Sequence, residues 1–120
     1  VTVLGDVDRL TQAVGNLLSN AARYTPEGGQ VRVRLLRDGA DAVIEVADSG
    51  LGVAEEDRER VFTRFWRGDP ARTRTSGGVG IGLAVVREIV ERHGGRVGVH
   101  ASDLGGAAFV VRIPLAPERR

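Results

Sequence analysis

Leu10, Ala13, Val14, Leu17, Leu18 and Ala21 recur at the 3, 4 and 7 spacing of one helical face, uninterrupted by any breaker. That period predicts an amphipathic helix, which must bury its apolar stripe against another element. Asp6 or Asp8 can cap the start, because a carboxylate oxygen accepts from the orphan N–H groups of a first turn. The end falls near Tyr24, since Pro26 disfavours helical geometry at Thr25 and Gly28-Gly29 follows as a turn.

The surface for that stripe follows in the sequence. Gln30-Val31-Arg32-Val33-Arg34-Leu35-Leu36 alternates polar and apolar, and Ala42-Val43-Ile44-Glu45-Val46-Ala47 is rich in β-branched residues beyond Asp38-Gly39, so the two read as a hairpin of half-buried strands. Glu55 to Val61 reads as a short helix with an acidic start. Residues 67–80 carry almost nothing to bury and read as a mobile loop. From Ile81 to Arg92, Leu83, Val86, Ile89 and Val90 mark a second amphipathic helix, stopped by Gly94-Gly95. Strands over Arg96–Ala101 and Ala107–Ile113 turn at Asp103-Leu104-Gly105-Gly106, and the tail from Pro114 should fray. With the strand-like start at Val1-Thr2-Val3-Leu4, this order predicts an α+β fold. The expected form is a two-layer sandwich with about three helices on one face of a mixed, mainly antiparallel sheet.

Composition narrows the function. At 120 residues and 42% hydrophobic content, one domain spanning 1–120 is expected to have a core of its own. The absence of cysteine excludes disulfides, thiolate chemistry and cysteine-ligated zinc, and His93 and His100 lack metal-ligand spacing. A net charge of +1 gives no field for nucleic acid or an anionic membrane surface. Every basic residue is arginine, which removes the lysine of a Walker-type phosphate loop and of the protein-kinase nucleotide site. No apolar run nears the roughly 20 residues that cross a bilayer. The first residues do not form a signal peptide, and the start without methionine suggests the C-terminal part of a longer protein.

Three segments carry candidate chemistry. Asn16, Asn20 and Arg23 share one helical stripe; amide oxygens suit Mg²⁺ and a guanidinium suits phosphate, although asparagines late in a helix also cap or face solvent. Asp48 closes a strand before Ser49-Gly50-Leu51-Gly52, where a carboxylate can accept from the exocyclic amine of adenine and glycines let a flat ring approach; a plain turn aspartate is the alternative. Gly77-Gly78-Val79-Gly80-Ile81-Gly82-Leu83 sets four glycines before a helix, a cradle of N–H groups for phosphate or else a linker. It does not fit the dinucleotide fingerprint. Arg64, Arg67, Arg72 and Arg74 flank the loop, and Phe62, Phe65 and Trp66 read as core packing or as the hinge of that loop. The run Glu55-Glu56-Asp57 reads as a solvated helix start.

In this order the segments resemble the ATP-binding catalytic domain of sensor histidine kinases, within the wider group of gyrase, chaperone, kinase and mismatch-repair ATPases (GHKL). Asn16 to Pro26 is similar to that family's asparagine box and Asp48 to Gly52 to its first glycine box; Phe62 to Asp69 matches the phenylalanine box and Gly78 to Leu83 the second glycine box. The resemblance implies that Asn20 and Asn16 hold Mg²⁺, Tyr24 lies against the nucleotide, and Asp48 with Gly50 and Gly52 takes the adenine. It also implies that Gly78, Gly80, Gly82 and Leu83 take the phosphates, that residues 66–80 form an ATP lid, and that Arg67 reaches the terminal phosphate. Arg23 stands where the family usually has lysine, which keeps the charge and changes its geometry. Hydrolysing members carry glutamate where Asn16 stands, so Asn16 implies transfer rather than hydrolysis.

By that resemblance the chain donates the γ-phosphoryl group of Mg-ATP to a histidine on a separate dimerisation domain, which passes it to a response regulator. Neither His93 nor His100 is expected to be the acceptor, so the isolated domain should not autophosphorylate. The implied setting is a cytoplasmic domain that touches neither membrane nor nucleic acid, in a parent that can be anchored in the inner membrane. A serine kinase acting on an anti-sigma antagonist and a non-catalytic nucleotide-binding module share the fold and stand as alternatives.

Overall fold

The computed structural model describes residues 3–63 and 79–116, with only the backbone at 79–81. Helix α1 runs Val7–Tyr24. Asp6 is its N-cap, its carboxylate accepting from the N–H of Arg9 at 3.1 Å, and Thr25 returns to extended geometry ahead of Pro26. Strands β1 (Val31–Asp38) and β2 (Asp41–Asp48) form a hairpin closed by Gly39-Ala40. Helix α2 spans Val79–Arg92 and ends at Gly94, beyond which the N–H of Gly95 returns to the carbonyl of Val90 at 3.0 Å. Strands β3 (Arg96–Ala101) and β4 (Ala107–Pro114) complete a sheet of order β1-β2-β4-β3.

Register decides which side chains meet the helices. Val46 lies opposite Phe109 and Ile44 opposite Val111, while Val99 and Val97 continue the same rows on β3. This face packs Val46, Ala107, Phe109, Val111 and Ile113 against Ala13, Leu17 and Ala21 of α1 and against Leu83, Val86, Ile89 and Val90 of α2. Phe62 closes one end, its ring 6.0 Å from that of Phe109 at 86°, an edge-to-face pair. Both helices therefore lie on one face of an α+β two-layer sandwich.

Several expectations change in detail. Every strand pairing among the described residues is antiparallel, without the mixed character expected, and Val3 and Leu4 lie outside any strand. Glu55–Val61 forms two 3₁₀ turns, Glu55–Asp57 and Arg60–Phe62, in place of one helix; neither has a side-chain cap, and so short a segment does not repay α-helix nucleation. Helix α2 starts at Val79 rather than Ile81, so Gly80 and Gly82 lie inside its first turns. Strand β1 is not half-buried: Val31, Val33 and Leu35 of this edge strand face the helix side at 42%, 50% and 58% exposure. Leu18 is likewise 39% exposed. Of the tail, residues 114–116 are described, and the N–H of Leu115 donates to the carbonyl of Ala40 at 2.8 Å; residues 117–120 lie outside the described residues.

Candidate functional site

Asp48 is 2% exposed at the end of β2. A buried carboxylate is costly unless hydrogen-bonded, and its Oδ1 accepts from the N–H of Gly50 at 2.9 Å and of Ala107 at 3.1 Å. The N–H of Gly106 donates to the carbonyl of Asp48 at 3.0 Å. Two segments distant in sequence thus grip one residue, and both side-chain bonds fall on Oδ1. Among the described residues no hydrogen bond falls on Oδ2.

The grip depends on glycine. A Cβ at Gly106 would collide with Oδ1 of Asp48 and stand 2.5 Å from the nitrogen of Gly50, while one at Gly50 would collide with the carbonyl oxygen of Tyr24. Gly50 therefore also seats the end of α1 against the strand carrying Asp48. Gly52, at φ +72°, continues the loop beside Gly106. Sequence reading missed Gly106 and the N–H of Ala107, taking them only as a turn and the start of a strand. The one available signal was the glycine pair directly before an apolar run.

Helix α1 supplies the polar wall. Asn20 is 5% exposed, and its buried Oδ1 has no hydrogen-bond partner among the described residues. Asn16 is half-buried, and its Nδ2 donates to the carbonyl of Gly82 on α2 at 3.2 Å. A carbonyl only accepts, so the amide nitrogen of Asn16 must face it. Arg23 is exposed on the last turn and Tyr24 half-buried at its end. Gly80 lies in the backbone of the first turn of α2, and Gly82 has open space where a Cβ would stand. Leu83 points into the core at 6% exposure. Arg67 and Gly78 lie outside the described residues, as do Arg64, Phe65, Trp66, Arg72 and Arg74.

The described residues hold no group of three histidine, aspartate or glutamate side chains able to bind a metal. Amide oxygens are the hard ligands present, and the orphaned Oδ1 of Asn20 is the one that fits a cation such as Mg²⁺. The contacts thus join Asn16 of α1 to Gly82 of α2, and the end of α1 at Tyr24 to Gly50 beside Asp48.

The model of the histidine kinase-, DNA gyrase B- and HSP90-like ATPases matches residues 5–117. The chain belongs to this ATPase family. Within it, the chain is 46% identical over 112 residues to the sensor-like histidine kinase SenX3 of Mycobacterium tuberculosis, covering 93% of this chain and 27% of SenX3. It is 41% identical over 115 residues to the signal transduction histidine-protein kinase BaeS of Escherichia coli, covering 96% of this chain and 25% of BaeS. Among solved structures, the mycobacterial sensor histidine kinase MprB superposes with a TM-score of 0.82 at 38% identity, over 97% of this chain and 76% of that one. Full-length ShkA in complex with AMPPNP superposes at 0.78 with 36% identity, over 98% of this chain and 24% of that one. The chain spans about a quarter of the length of these curated relatives. The curated relatives named here are sensor histidine kinases, the first of the three types in the family's name.

Proposed function

We propose that the domain seats the adenine of Mg-ATP against Asp48 and lays its phosphates between α1 and the start of α2. It then donates the γ-phosphoryl group to a histidine on a separate dimerisation domain, from which it passes to an aspartate of a response regulator. The observation that supports this reading is Asp48, whose Oδ1 is held by two backbone N–H groups while Oδ2 has no hydrogen bond among the described residues. Adenine offers an exocyclic amine to that acceptor; guanine would offer a carbonyl, acceptor against acceptor.

The rest of the wall suits the phosphate end. The N–H groups of the first turn of α2 lack intrahelical partners and favour an anion, and Gly80 and Gly82 keep bulk away from them. Asn20 would hold the metal through Oδ1, with Asn16 beside it one helical turn earlier. Mg²⁺ supplies neutralisation of phosphate charge when bound. Arg23 and Tyr24 flank the nucleotide, and Arg67 from the lid at 66–80 meets the terminal phosphate.

Transfer is favoured over hydrolysis by Asn16. An amide takes no proton at neutral pH, and its nitrogen is committed to Gly82, so no base at this position activates water. The acceptor lies on another domain: both ring nitrogens of His93 are engaged, with the carbonyl of Ile89 and the N–H of Asp6, and His100 sits on the outer face of β3. ATP as substrate places the domain in the cytoplasm, and no helix among the described residues is long and apolar enough to cross a membrane. Incubation with γ-labelled ATP should leave the isolated chain unlabelled and label the histidine of an added dimerisation domain from the same protein. Label on the isolated chain would contradict the proposal.

A further inference from the structure

The turn that grips Asp48 is itself held from the opposite side of the sheet. Arg32 on β1 forms a bidentate pair with Asp103, Nη1 to Oδ2 at 3.0 Å and Nη2 to Oδ1 at 2.7 Å. Nη2 also reaches Oε1 of Glu45 at 3.3 Å, and Arg34 meets the same oxygen through Nε at 3.0 Å. The side chain of Glu45 is only 12% exposed, so Nη2 of Arg32 is shared between Asp103 and a poorly solvated carboxylate.

This pair differs from an ordinary surface contact in what it connects. Strand β1 is at one edge of the sheet, whereas Asp103 belongs to the turn that joins the ends of β3 and β4, on the far side of β2. Arg32 lies in a cross-strand row with Ala47 and Ala108, whose small side chains leave room for an arginine to lie across the outer face. Within the turn, the N–H of Ser102 donates to Gly106 at 2.9 Å and that of Gly105 to Ser102 at 3.0 Å, so Asp103 belongs to a closed loop. The far end of that loop is Gly106-Ala107, the pair of N–H donors on Asp48.

We infer that Arg32 and Asp103 are positioning residues for base recognition, clamping the β3–β4 turn so that Ala107 holds Oδ1 of Asp48 and aims Oδ2 at the base. The inference rests on the proposed adenine site at Asp48. The bond from Ala107, at 3.1 Å, is already near the long end of the range, so a small drift of the turn releases it. A bidentate guanidinium suits such a clamp because two parallel bonds fix direction as well as distance.

Calorimetry with ATP, ADP and inosine triphosphate, each with Mg²⁺, separates the possibilities, since inosine carries an oxo group where adenine carries its amine. Wild type should prefer ATP to inosine triphosphate. Arg32→Ala and Asp103→Ala should each lower that preference about tenfold, the scale of one charge-assisted hydrogen bond, and leave the ATP-to-ADP ratio unchanged. The double variant should match either single one, and Arg32→Lys, which keeps charge without the fork, should fall between. Variants that keep the wild-type ATP preference overturn the clamp while the adenine reading stands. Loss of all nucleotides in equal proportion would also overturn it, showing a merely structural pair. A wild type that does not distinguish the two bases overturns the reading beneath it.

Discussion

The side-chain amide of Asn16 on α1 donates to the backbone carbonyl of Gly82 on α2, at 3.2 Å, and so joins the helix with the candidate metal ligand to the helix whose start is proposed to take the phosphates. Removing it takes the side-chain donor from that carbonyl. Asn16→Ala is expected to cost about 1 kcal/mol of stability in chemical denaturation. Asn16→Glu should cost more at neutral pH, because it sets a carboxylate against that carbonyl. Equal stability of the two variants would show that the bond does not couple the helices.

Asn20 makes a prediction whose two readouts differ. Its buried Oδ1 has no partner among the described residues, so an apolar side chain of similar size gives up little there. Asn20→Leu should leave stability without ligand within about 1 kcal/mol of wild type, yet abolish the gain in ATP affinity that Mg²⁺ brings. In a chelator, wild type and variant should bind ATP alike. A variant that keeps the Mg²⁺-dependent gain removes Asn20 from the metal site.

At Gly106 the test is steric. A methyl group would overlap Oδ1 of Asp48, and either the turn or the carboxylate must move. Gly106→Ala should cost about 1–3 kcal/mol of stability and weaken ATP binding at least tenfold. Gly28→Ala, at a glycine with open space around it, serves as the control for backbone strain alone, since its φ is +85°.

The Arg32–Asp103 pair has an acid signature. The hydrogen bonds and charge of Arg32 hold the Asp103 carboxyl below its ordinary value of 3.8. A carboxyl lowered in the folded state contributes stability above its unfolded value and loses it as pH falls through the folded one. NMR titration should therefore place the Asp103 midpoint below 3.8 in wild type and return it toward 3.8 in Arg32→Ala. An unshifted midpoint in wild type would mean that the pair is open in solution.

His93 has a structural part that its sequence context hid. Its Nδ1 meets the carbonyl of Ile89 at 2.8 Å and its Nε2 accepts from the N–H of Asp6 at 3.0 Å, which ties the end of α2 to the cap of α1. His93→Ala should cost about 1 kcal/mol in denaturation while ATP affinity stays near wild type. A large loss of affinity would point to a role in the site instead.

What the sequence made legible follows from what periodicity measures. Leu83, Val86, Ile89 and Val90 were readable because a 3.6-residue period names the buried face directly, and all four are buried. Val33 and Leu35 were not, because alternation names a face without saying whether another element covers it. Asp48 was visible as an acidic residue at a strand end. Its donors were invisible, since backbone N–H groups from a turn some sixty residues on carry no residue identity. The length of α2 was misread at its start because glycine suggests a loop, whereas here Gly80 and Gly82 are helical.

The central claim is that Asp48 chooses the base, and Asp48→Asn tests it most directly. The substitution preserves size and leaves an oxygen for the N–H groups of Gly50 and Ala107, but it turns the atom facing the ligand from acceptor to donor. In calorimetric titrations with Mg²⁺ and a non-hydrolysable ATP analogue, the account predicts binding weakened about 10- to 100-fold, with inosine triphosphate now preferred over ATP. Undiminished affinity for the ATP analogue in Asp48→Asn, with the wild-type base preference intact, would contradict it.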